Sequence, residues 1–97
     1  ELGDHGYEEV SDGYAVFFVS ETSATNTEIV NGGRNIGSVK VTNDLTSVSD
    51  VKWLTSFTTE TVTRLKNLKI GDNKILLIFE VWKNNEYSYT GYMIVDN

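Results

Sequence analysis

The 97 residues contain neither cysteine nor proline. Without cysteine there are no disulfides, thiolate zinc sites, iron–sulfur clusters or sulfur nucleophiles. Without proline, the turns must be marked by Gly, Asn, Asp and Ser. Histidine occurs once, at His5, which excludes a His-His metal pair. A Ser-His-Asp arrangement around it would lack the Gly-x-Ser-x-Gly elbow, and a histidine so near a chain end reads as a solvated side chain. Cations are scarce: eight Lys and Arg stand against fourteen Asp and Glu, a net charge of −6. That balance repels phosphate backbones and anionic headgroups, so neither nucleic acid nor a membrane surface is expected as a partner. No apolar run approaches the length of about 18 residues that spans a bilayer, and no leader pattern is present, so membrane insertion is not expected. Asn-x-Ser/Thr acceptors are absent too. The chain opens at Glu1 and not at Met, as a processed or excised segment would.

What is present describes a folded chain: 39% hydrophobic and 23% charged residues, in a length that suits one small domain or a piece of something larger. Val, Ile, Thr, Tyr, Phe and Trp recur in short runs, while alanine, the best helix former, occurs only at Ala15 and Ala24. The expected class is all-β and antiparallel, with about six strands. Tyr14–Ser20 follows the turn signal Ser11-Asp12-Gly13 and reads as a strand covered on both faces. Asn35–Thr42 alternates, with Val39 and Val41 on one side, and Asn31-Gly32-Gly33 supplies a turn before it. Val51–Phe57 and Glu60–Ile70 are the next two strands. Lys74–Trp82, with an unbroken apolar run from Ile75 to Phe79, reads as a central strand. Asn84-Asn85 is a two-residue hairpin loop, and Glu86–Val95 the last strand.

Sliding the sequence by 60 positions lays Asp12 on Asp72 and Ala15–Val19 on Ile75–Phe79. Residues 51–97 then form a four-stranded repeat, and residues 10–42 a partial one, within a single all-β domain or fragment over 1–97. The segments Val51-Lys52-Trp53-Leu54-Thr55, Arg64-Leu65-Lys66, Gly71-Asp72-Asn73-Lys74-Ile75-Leu76-Leu77 and Tyr92-Met93-Ile94-Val95-Asp96-Asn97 resemble a β-propeller-type repeat of large extracellular or surface proteins. The resemblance implies propeller-blade-like sheets belonging to a larger chain, or a unit completed as a homo-oligomer, because an open blade exposes unpaired edges. A small β-sandwich or barrel is the alternative.

Glu80, inside ILLIFEVW, needs either solvent or a partner, since burying an unpaired carboxylate costs several kcal/mol. With Glu21 it forms the one carboxylate pair that glycosidase chemistry would use, although strand-end acids are more often solvated or salt-bridged. Asp12-Gly13 and Asp72-Asn73 are oxygen-rich turns without the spacing of a calcium loop. Arg64, Lys66, Lys69 and Lys74 read as a solvated strand face. Among the aromatics Trp53, Trp82, Tyr87, Tyr89 and Tyr92, strand periodicity puts Tyr87, Tyr89 and Met93 on one face, and Ser88, Thr90, Tyr92 and Ile94 on the other.

No phosphate-cradling loop, metal ligand set or nucleophile–base pair is visible, so no enzyme activity, cofactor or metal is expected. The expectation is a non-enzymatic binding or structural module, extracellular or on the cell surface, recognising carbohydrate or protein. Its contact patch would be Trp82, Asn84, Asn85, Tyr87 and Tyr89, whose rings and amides suit a sugar. An accessory fragment of a carbohydrate-active enzyme and an intracellular protein-interaction scaffold are the alternatives.

Overall fold

The computed structural model describes residues 2–20 and 35–97, and every regular element among them is a strand. These are β1 (Leu2–Val10), β2 (Gly13–Ser20), β3 (Asn35–Thr42), β4 (Lys52–Trp53), β5 (Glu60–Gly71), β6 (Lys74–Lys83) and β7 (Glu86–Asp96). They form two antiparallel sheets, β1-β2-β3-β4 and β5-β6-β7, with no closed barrel. The all-β class therefore holds. The Asn31-Gly32-Gly33 turn and Glu21 lie outside the described residues.

One core joins the sheets. Ala15, Phe17 and Val19 of β2 and Ile36 of β3 meet Val62 and Leu65 of β5 and Ile75, Leu77, Phe79 and Val81 of β6. The shortest extent of the molecule, 16 Å, fits two layers about 10 Å apart. Hiding each large side chain contributes about 1.5–3 kcal/mol. Because side chains alternate, a one-residue slip of β2 or β6 would expose the whole set, so this burial also sets the register. The faces of β2 differ: odd positions are buried and even ones half-buried, where coverage on both faces was expected. Val39 and Val41 lie on the outer face of the first sheet, and Ile36 on the inner one.

Three expectations need correction. The strand expected over 51–57 shrinks to Lys52–Trp53, because polar side chains replace its ladder. Thr55 Oγ1 accepts from Ile36 N (3.0 Å), Asn35 Oδ1 accepts from Phe57 N (2.6 Å), and Asn35 Nδ2 donates to Phe57 O (3.2 Å). Residues 51–97 consequently do not make one four-stranded sheet: β4 pairs with β3, and only β5, β6 and β7 form the second sheet. Finally, β1 is a seventh strand in a segment, LGDHGYEEV, that is poor in β-formers. With it the first half holds a three-stranded meander of its own. The 60-residue offset lays β2 on β6, each central to its run, and the two hairpin turns meet where Ser11 N donates to Asn73 Oδ1 (2.9 Å).

Edge strands β1 and β5 face each other through side chains. In β5, Arg64 and Leu65 together stand opposite Phe79, with Arg64 at φ 55°, and Asp4 Oδ2 takes the Leu65 N–H (3.0 Å). Asn67 Nδ2 donates to Tyr7 O (3.0 Å) and to Glu8 Oε2 (2.6 Å). Gly6 makes room for that carboxamide, since a Cβ there would collide with Asn67 Oδ1.

Candidate functional site

The Asn84-Asn85 loop is the expected two-residue hairpin, closed by the pair Lys83 and Glu86. Both asparagines have left-handed backbones, φ 54° and 63°. Two such residues in succession make the turn whose twist matches the strands, and Asn tolerates them far better than β-branched residues do. The two side chains sit at the exposed tip.

Immediately beyond the turn the ladder slips. Trp82 pairs with Tyr87 but Val81 with Tyr89, leaving Ser88 as an extra residue. The bulge moves Tyr87 to the outer face, where its ring meets Trp82 edge-on at 6.1 Å and 86°. Tyr89 stays opposite buried Val81 on the core side, although 46% exposed. Tyr87 and Tyr89 therefore do not share a face, as strict period-2 alternation implied. Thr90, Tyr92 and Ile94 do share a face, as alternation implied, and it is the outer one, since they pair with Glu80, Ile78 and Leu76.

The outer face of the second sheet thus reads in rows. The aromatic row Trp82 and Tyr87 lies next to a polar row of Glu80 and Thr90, with Arg64 beside it. Then come Ile78 with Tyr92, and Leu68 with Leu76 and Ile94. Glu80 has the partners its position required: its Oε1 lies 3.3 Å from Arg64 Nε and accepts from Trp82 Nε1 at 3.3 Å. Tyr87 Oη and Thr90 Oγ1 share a hydrogen bond of 2.9 Å, which lays the tyrosine along the strand. Tyr92 is 73% exposed and Tyr87 54%. Tyr92 was grouped with the aromatics but not with the contact patch. The missing signal was the bulge, which period-2 counting cannot reveal.

Trp53 belongs elsewhere, on the outer face of the first sheet, edge-on to Phe18 at 5.9 Å. His5 is exposed on that same face, paired with Phe18 in the ladder. Of the expected carboxylate pair Glu80 is placed as above, and Glu21 lies outside the described residues. In the oxygen-rich turns, Asn73 Oδ1 accepts from Ser11 N and Asp12 pairs with Lys40. Asp12 contacts Lys40 Nζ at 2.6 Å, and this hydrogen bond holds its carboxyl below the ordinary range. Among the basic residues, Arg64 meets Glu80 and Lys74 meets Asp96 (3.6 Å). Among the described residues no three His, Asp or Glu side chains converge as metal ligands. The chain matches no family model, no curated protein and no solved structure.

Proposed function

We propose that this protein is a non-enzymatic binding module of an exported or cell-surface protein, and that the outer face of its second sheet receives carbohydrate. One observation carries the reading. Two exposed rings, Tyr87 and Tyr92, flank a row of hydrogen-bonding groups, Arg64, Glu80 and Thr90, on one sheet face. Sugars offer apolar ring faces edged with hydroxyls, and rings alternating with polar groups complement both. Asn84 and Asn85 extend the surface past Trp82, whereas Tyr89 lies on the opposite face of the sheet and falls outside this site. A glycan array with the wild-type chain, Tyr87→Ala and Tyr92→Ala tests it. Both tyrosines are exposed, so both variants should fold and lose at least about tenfold in affinity, about 1.4 kcal/mol. Retention of the same glycans by both variants, or of none by the wild type, refutes the assignment.

A second reading, protein recognition by strand addition, rests on β7. Among the described residues, its eleven-residue outer edge pairs with no strand, and such an edge is a template for another strand. The edge would join a second copy of the chain or a neighbouring unit of the propeller type. Sedimentation equilibrium separates the two: a mass of 10.9 kDa at all concentrations rules out self-association through β7.

A further inference from the structure

The outer face of the first sheet carries a different feature. Alternation places His5, Tyr7 and Glu9 of β1, Tyr14, Val16 and Phe18 of β2, and Val39 and Val41 of β3 on that face. A groove of about 410 Å³ runs over it, lined by His5, Tyr7, Tyr14, Val16, Val41 and Leu45. That volume falls within the range of small-molecule sites. Its walls include two tyrosine rings 6.0 Å apart at 76°, a corner that presents aromatic faces in two directions.

Leu45 closes the groove at a cost. It is held at φ 63° and is 69% exposed, so a large apolar side chain occupies a backbone region that disfavours it, without gaining burial. The loop beneath is built to hold it there. Asp44 Oδ1 accepts from Thr42 Oγ1 (2.7 Å), Thr46 Oγ1 (2.7 Å) and Thr46 N (3.2 Å), and Leu45 N donates to Thr42 O (2.9 Å).

Charge selects the occupant. Glu9 stands beside Tyr14 on the groove face, Asp44 precedes Leu45, and no Lys or Arg occurs in the sequence before Arg34. The two lysines of this sheet, Lys40 and Lys52, occupy the opposite alternation, opposite Ala15 and Ser38. Carboxylates and ring faces attract a cation, and the aliphatic wall accepts an apolar body.

We propose that this groove binds a small organic cation, an ammonium on an apolar body. The ammonium sits in the corner between Tyr7 and Tyr14, and the body lies along Val16, Val41 and Leu45. The site is separate from the carbohydrate face, so either assignment can fail alone.

The test uses benzyltrimethylammonium, choline and choline's neutral isostere 3,3-dimethylbutanol, titrated into the ¹⁵N-labelled chain at pH 8 and followed by NMR. Both cations should shift the amides of Gly6, Tyr7, Val16 and Leu45 and leave those of Tyr87 and Tyr92 unmoved, and choline should bind at least about tenfold more tightly than its isostere. Tyr7→Leu, exposed in the free protein, should fold and lose at least about fivefold for the cations. Leu45→Asn should be as stable as the wild type or more so, because Asn accepts the left-handed backbone, yet bind benzyltrimethylammonium more weakly. Equal binding of choline and the neutral isostere, undiminished binding by Tyr7→Leu, or shifts confined to the second sheet would each overturn the proposal.

Discussion

The join between the sheets at Asn67 can be tested by a double-mutant cycle whose outcome reverses sign. Asn67→Ala removes one hydrogen bond to a neutral carbonyl, Tyr7 O, and one to a carboxylate, Glu8 Oε2. Such bonds contribute about 1 and about 1.5–3 kcal/mol. The seam is only partly buried, so the lower end applies and a loss of about 2 kcal/mol is expected. With a urea m-value of about 1–3 kcal/mol/M, the midpoint should fall by about 0.7–2 M. Gly6→Ala acts on the same contact, because its Cβ would displace the Asn67 carboxamide and break both bonds. An extended Gly→Ala change also favours folding by about 0.4–1 kcal/mol through the unfolded chain, which leaves a net cost of about 1–1.5 kcal/mol. In the Asn67→Ala background the collision is gone and only the unfolded-state gain remains. Gly6→Ala should then be neutral or stabilising, with a coupling of about 2 kcal/mol between the sites. Urea titrations followed by the fluorescence of Trp53 and Trp82 give all four corners of the cycle. Additivity within about 0.5 kcal/mol would refute the contact between Asn67 and the Gly6 backbone across the seam.

Leu77, fully buried between the sheets, should cost about 2–5 kcal/mol as Leu77→Ala in the same assay, and the exposed Leu68→Ala under about 1 kcal/mol. Asn84→Val places a β-branched residue at φ 54° and should destabilise by about 1–2 kcal/mol, whereas Asn85→Gly should be neutral or stabilising by thermal melt. Asp12 is held below its ordinary 3.8 by the hydrogen bond from Lys40, and Asp44 by those from Thr46 and Thr42. A folded value below the unfolded one means that this stability is present above the unfolded value and lost as pH falls through the folded one. Stability should therefore decline on the acid side of about pH 4, and Asp44→Asn should flatten that decline. Carboxyl NMR titration checks both groups directly, and a value for either at or above 3.8 contradicts the assigned contacts.

Much of the fold was legible because it depends on short-range facts. The strand expected over Asn35–Thr42 is β3, and those expected for β2, β5, β6 and β7 agree with the structure to within about a residue, since apolar runs between Gly, Asp and Asn turns leave few alternatives. β1 escaped because its two glycines and four acidic or imidazole side chains carry no strand signal; it is a strand because β2 offers it a ladder, and an edge tolerates such residues. β4 was overdrawn because Asn35 and Thr55, twenty residues apart, satisfy backbone groups that local sequence assigns to a sheet. Among the contact residues, the turn at Asn84 and Asn85 was readable from residue type. The side to which Tyr87 points was not, because one bulged residue, Ser88, reverses it.

Composition and local pattern by themselves determined that the described chain is all-β and where its hairpins turn. These follow from backbone preference and alternation, whose range is a few residues. Tertiary structure alone decided that the strands divide into two sheets sharing a core, that β1 and β5 meet through Asn67 and Gly6, and which rings share a face. Those outcomes depend on register and on contacts between residues about sixty positions apart, where the cost of closing the loop is met only once both sheets have formed.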